Sequence, residues 1–282
     1  MQAFARVAVE LAVGADGQAR NRIAVLHSES PLVLRPIGAA GSEGFTRWEG
    51  IHPRPAMVTL VAGGAGPLGG DRLRLEIKVG QDSMLLLSEV AATLLLPGPN
   101  GEESSMEVGI QIGANGTLVW LPEPIIAVRG CRHRTAVTAR LEPGARLVLR
   151  EEVVLGRYDE QPGMFRQHLR VQLDGRPLLD QELAVGFGAP GWNGSAITGG
   201  DHRALGCILV VDPTWSETTL SIPALEGDAA ILPLAGPAML VSVLAPDTLA
   251  LRRQLEIGLA LLDSWLAQPN CNYDKAGWDS CM

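Results

Sequence analysis

The residues best placed for chemistry open on a glycine run, Gly63-Gly64-Ala65-Gly66-Pro67-Leu68-Gly69-Gly70, closed by Asp71. Glycine at this density signals unusual backbone angles or close backbone approach, which could serve a bound phosphate, a partner or a tight turn. A phosphate cradle needs a Lys-Ser or Lys-Thr pair and then a helix. Here Arg72 follows, and Leu73, Leu75, Ile77 and Val79 alternate with polar residues, the period of a half-buried strand. The run therefore reads as a strand-entry turn with Asp71 as its one chemical group. Cys131 and His133 stand two apart, so on a strand both point to one face. A thiolate with an imidazole suits nickel or zinc, although Arg132 and Arg134 beside them raise the cost of holding a cation. Glu151 and Glu152 are adjacent, which on a strand turns them to opposite faces and denies them a shared substrate. No Gly-x-Ser-x-Gly elbow and no His-Glu-x-x-His occurs.

The elements that must position these groups are short and mostly strands. Met106, Val108, Ile110 and Ile112 alternate; so do Thr135, Val137, Ala139 and Leu141, and Leu169, Val171 and Leu173. Met84 to Leu87 and Ile208 to Val211 are continuous apolar runs of the kind buried on both faces. Asp16-Gly17, Asn100-Gly101, Asn115-Gly116, Asp174-Gly175 and Asn193-Gly194 are dipeptides favoured by two-residue hairpin turns. Asp247 can cap a helix whose leucines 251, 255, 259, 262 and 266 form one face, with Pro269 as its stop. No internal repeat shows a fixed period. The expectation is a mainly β, stacked-sheet or β-helix-like domain over 1–269 with a C-terminal helix, then a polar tail over 270–282.

Composition narrows the function. Of 282 residues 46% are hydrophobic, enough for a large core, and the net charge is −8. An acidic balance argues against nucleic acid as the main ligand. The uncharged run 229–246 is broken by Pro233, Gly236 and Pro237, so it reads as buried strands rather than a membrane span. Four cysteines without a signal-peptide pattern imply reduced thiols and a cytoplasmic protein.

Several segments together carry a resemblance. Gly69-Gly70-Asp71-Arg72-Leu73 resembles the glycine-rich signature of the urease accessory proteins called UreD, or UreH in some bacteria. Trp120-Leu121-Pro122-Glu123-Pro124-Ile125-Ile126 is similar to that family's Leu-Pro motif. Leu155-Gly156-Arg157, after Glu151-Glu152, is similar to its Leu-Gly-Arg motif. Pro31-Leu32 with Arg35-Pro36, and Val243-Leu244-Ala245 ahead of the helix, match its two ends. The resemblance implies a non-enzymatic maturation factor with a β-helix-like fold. It also implies a complex with a UreF-type helical protein, a UreG-type GTPase and apo-urease, with nickel passing through an internal channel and no tightly bound cofactor. Matching the motifs makes Asp71, Glu123 and Glu152 the metal-transit or channel-lining candidates, with Arg157 beside them; Cys131 and His133 remain a further pair on their spacing alone. A β-helical carbohydrate-active enzyme using paired carboxylates, or a β-rich interaction module without metal, are the other readings.

Overall fold

The computed structural model describes residues 1–38, 53–192, 201–215 and 224–266. Strands β1 (Gln2–Val13) and β2 (Ala19–His27) form an antiparallel hairpin, and β3 (Leu32–Pro36) pairs with β4 (Ala56–Ala62) to start a second sheet. The chain then coils between the two sheets. It lays β5 (Arg72–Val79) in the first, β6 (Met84–Glu89) in the second and β7 (Thr93–Leu95) at the side. A second coil repeats this with β8 (Ser104–Ile112), β9 (Thr117–Leu121) and β10 (Ile125–Ala127), and a third with β11 (Arg132–Leu141) and β12 (Arg146–Val154). After β13 (Met164–Leu173) the coil ends in hairpins. β14 (Arg176–Val185) closes the first sheet; β15 (Ala204–Val211), β16 (Ala229–Pro233) and β17 (Ala238–Ala245) extend the second. Helix α1 (Thr248–Leu266) follows.

Each coil stacks parallel on the one before. The first sheet runs β14-β13-β11-β8-β5-β1-β2, and the second runs β16-β17-β15-β12-β9-β6-β4-β3. Arg72 lies beside Ser105, Ser104 beside His133, and Arg132 beside Met164. A coil therefore takes roughly thirty residues, within the range of solenoid repeats. No two neighbouring coils take the same number, which is why the sequence shows no fixed period.

Period-two alternation aims one face of every strand inward. Leu75 and Ile77 of β5, Ile110 and Ile112 of β8, and Leu147 and Leu149 of β12 are 0–1% exposed in the layer between the sheets. Full burial of each such side chain contributes about 2 kcal/mol. The second sheet is buried on both faces, as its continuous apolar runs require: Val148, Ile208, Val210 and Val241 point away from the first sheet and pack under α1. Asp247 accepts the Ala250 amide at 2.8 Å, the helix cap expected from sequence. Leu251, Leu255 and Leu262 are buried against the sheet. The uncharged run 229–246 supplies the antiparallel pair β16 and β17. Among the described residues no helix is long and apolar enough to cross a membrane.

The hairpin reading of the glycine dipeptides needs correction. Among the described residues, only Asp174 (φ 49°) and Gly175 (φ 71°) of these dipeptides make the two-residue turn, between β13 and β14. Asn100-Gly101 and Asn115-Gly116 instead carry the chain from one sheet to the other, and in Asp16-Gly17 only Gly17 has positive φ. Asn115 (φ 56°) and Asp82 (φ 52°) are both left-handed and sit in successive coils, and the Asn115 side-chain amide donates to Asp82 at 3.0 Å. Asn and Asp tolerate that backbone region, so stacked inter-sheet corners use the same residue types as hairpins. Asn193-Gly194, Pro269 and the tail 270–282 lie outside the described residues.

Candidate functional site

Alternation also brings polar groups into the apolar layer. Leu85 and Leu87 of β6 face inward, so Glu89 faces inward too. Leu147 and Leu149 do the same for Glu151 on β12, and Leu209 for Cys207 on β15. From the opposite sheet come His133, Thr135 and Gln167. A cavity of about 130 Å³ is lined by Glu89, Trp120, His133, Glu151 and Gln167 among aliphatic neighbours. A second, of about 120 Å³, lies between β12, β15 and β17 on one side and β13 and β14 on the other. Glu151 and Gln167 line both, so the two cavities meet at this pair and follow one another along the stacking direction of the coils.

Burial sets the charge state of these groups. Desolvation pushes Glu89 up to about 7, against the Glu123 amide that bonds its carboxylate and the nearby Arg150. Desolvation also lifts Glu151 to about 7, opposed by hydrogen bonds from Gln167 and Cys207. The Cys207 thiol lies 3.8 Å from the Glu151 carboxylate; burial and that acid hold it well above its ordinary range, so it stays a thiol. Trp120 is buried, and its Nε1 has no hydrogen-bond partner among the described residues where it lines the first cavity. The seam thus offers two carboxyls poised between protonated and ionised near neutrality, a neutral amide, a thiol and an indole donor.

The residues singled out from sequence are distributed more widely. Asp71 closes the glycine turn: it accepts the Leu68 amide at 2.9 Å and pairs with the amino group of Met1 at 2.9 Å. Glu123 and Glu152 do come together, on the side of the second sheet that faces α1. Arg252 of the helix reaches Glu152 at 3.1 Å and Glu123 at 2.5 Å, and Arg150 approaches the same two acids at 2.8 and 3.8 Å. Two arginines balance two carboxylates there and fix α1 to the sheet. Arg157 forms a bidentate pair with Glu160, which holds that carboxyl down at about 2.

Cys131 and His133 are both buried but engaged separately. Cys131 packs with Phe165, and burial lifts its thiol to about 11. His133 contacts Ser104 at 2.7 Å and Thr135 at 3.2 Å, and burial lowers it to about 4, so the imidazole is neutral. Among the described residues no three His, Cys, Asp or Glu side chains form a group that could hold a metal ion.

Glu89 and Gln167 were not recognised from sequence, and Glu151 was noted only as facing away from Glu152. A signal was present. Glu89 and Glu151 each continue the inward parity of a strand, two residues after Leu87 and Leu149. An acid on the core side of an alternating strand is costly unless it serves a purpose.

Comparison with known proteins adds an independent line. The family model described as UreD urease accessory protein matches residues 5–275. A urease accessory protein UreD of Streptomyces avermitilis is 42% identical over 258 residues, covering 91% of this chain and 97% of the relative. That of Streptomyces coelicolor is 39% identical over 259 residues, covering 92% and 97%. A protein of Saccharopolyspora erythraea named urease accessory protein UreD 2 is 40% identical over 237 residues, covering 82% and 79%.

Proposed function

The chain belongs to the UreD family of urease accessory proteins, and from that premise we propose that it is a non-catalytic scaffold that carries nickel into apo-urease. It works in the cytoplasm beside a UreF-type helical protein and a UreG-type GTPase, and nickel is its cargo rather than a resident cofactor. The observation that carries this reading is the polar seam between the sheets, where Glu89 and Glu151 stand in two cavities joined at Glu151 and Gln167.

The chemistry of the seam suits transit. A divalent ion needs oxygen donors to replace its water, yet a closed cage of thiolates and imidazoles would trap it. Glu89 and Glu151, both near 7, ionise at little cost when a cation arrives and recover a proton when it leaves. Cys207 and Cys131 remain protonated, which withholds the soft thiolates that would bind nickel tightly. His133 keeps both ring nitrogens against hydroxyls. Glu123 and Glu152, held by Arg150 and Arg252, border the first cavity and can hand an ion inward only by exchanging partners.

The reading is tested by removing the gene from a host that carries urease and the other accessory genes. Urease activity should disappear, return with the wild-type chain, and be rescued only in part by excess nickel. The chain should also co-purify with the GTPase and the helical protein. Full urease activity without it would refute the proposal.

A further inference from the structure

The outer face of the first sheet has a charge opposite to that of the chain. Strand β5 turns Arg72, Arg74 and Lys78 outward. On β11 the outward cations are Arg132, Arg134 and Arg140, and on β13 Arg166 and Arg170. All eight are exposed. Across β5, β8, β11 and β13, which are adjacent in the sheet, they face two acids, Glu76 and Glu107. A chain of net charge −8 does not collect such a plate by average composition.

Strand register concentrates it further. Arg72 is beside Ser105, Ser105 beside Arg134, and Arg134 beside Arg166, so three arginines fall in one lateral row. Neighbouring strands lie about 4.8 Å apart, so like charges in the row repel and cost stability. Local neutralisation is sparse. Arg74 pairs with Glu76 and lies 5.9 Å from the Phe4 ring, Arg134 reaches Glu107 at 3.9 Å, and Arg170 pairs with Asp180. Arg72, Lys78, Arg132, Arg140 and Arg166 have no ion-pair partner among the described residues.

We propose that this plate is a docking surface for a compact acidic patch on a folded protein. Its border selects that class of partner. Glu102 and Glu103 lie in the loop before β8; Asp82, Glu142 and Asp174 stand at the far corners; Glu182 lines the β14 edge, where Asp180 is already paired with Arg170 and Arg176 is the one cation of the strand. A duplex or an anionic membrane runs past the plate and meets this border, where like charge repels it. A patch no larger than the plate avoids the border. Complementary charge of this kind accelerates encounter and fixes orientation, and it weakens steeply with salt. The inference is independent of nickel and of the maturation reading.

The test uses the full chain and a short fluorescent polyglutamate peptide as probe, read by anisotropy at low salt. The combined Arg72→Glu, Arg134→Glu and Arg166→Glu variant should weaken binding by at least about tenfold, while Arg253→Glu on α1 leaves it unchanged. The corresponding Gln variant should give an intermediate loss, and coincident thermal melts confirm that all three fold. Wild-type binding should exceed that of a DNA duplex or phosphatidylserine vesicles at equal charge concentration. Unchanged binding in the triple variant, an equal loss with Arg253→Glu, or tighter binding of duplex or vesicles overturns the proposal.

Discussion

Gly69→Ala should destabilise the protein by roughly 3–5 kcal/mol, the range of severe core disruption, and lower its melting temperature by about 10 °C. A Cβ at this position would stand 2.3 Å from the Gly98 amide nitrogen, 2.5 Å from the Gly98 Cα and 2.5 Å from the Glu102 carbonyl oxygen. All three are backbone atoms of the loop in the next coil, so no side chain can swing aside. Gly69 also donates to the Leu96 carbonyl at 3.1 Å, which ties the two loops at the point of contact. The same run holds its own control: a Cβ on Gly64 would meet only the Pro31 side chain at 3.8 Å. Gly64→Ala should therefore change stability by less than about 0.5 kcal/mol. Urea unfolding of both variants checks the contrast; a harmless Gly69→Ala would show that the coils do not nest this closely.

Glu151→Gln should stabilise the protein at pH 8 by about 3 kcal/mol and change little at pH 4. Burial raises Glu151 from an ordinary 4.5 to about 7 in the folded chain. The unfolded chain gives up this proton near 4.5, whereas the folded chain keeps it until about 7. Between those values unfolding releases a proton, so the wild type loses stability as pH rises, and the loss is complete above 7. Glutamine keeps a polar group toward Gln167 and Cys207 but carries no charge, so its stability is flat across that window. Glu89→Gln should behave alike, since burial raises Glu89 to about 7 as well. Urea midpoints at pH 4 and pH 8 decide the matter. An equal difference at the two values would mean that burial does not raise the Glu151 carboxyl, and a destabilising Gln at pH 8 would mean that it is ionised and paired in the folded protein.

The stability that both acids sacrifice at neutral pH is the reason to look for a function in the seam. Sequence reasoning located β5, β8, β11 and β13, because alternation such as Leu73, Leu75, Ile77 and Val79 records which face is buried, and it marked Met84 to Leu87 of β6 only as an apolar run. It also located α1, whose leucine spacing and Asp247 cap are local signals. It placed Glu151 and Glu152 on opposite faces, as they are. What it lacked was depth. Glu152 and Glu123 stand out in the sequence only through a resemblance to family motifs, and only the fold shows Arg252 arriving from the helix to pair with both. Gln167 comes from the opposite sheet and Cys207 from a strand farther along the chain, and nothing in their neighbours marks them as meeting Glu151. The outer plate was hidden for a similar reason. Arg72, Arg134 and Arg166 look like ordinary solvent-facing positions of separate strands until parallel register sets them side by side.

The claim that the interior carries the ion is tested most directly by urease activity in a host whose own copy of the gene is removed. Complementation uses the double variant Glu89→Gln, Glu151→Gln under limiting nickel. Both changes favour the folded state at neutral pH, so the variant should accumulate at least as well as the wild type. Activity should nevertheless fall by about tenfold or more, a loss of at least about 1.4 kcal/mol in the limiting step, while Glu76→Gln on the outer face leaves it unchanged. Wild-type urease activity from the double variant would contradict a route for nickel between the sheets.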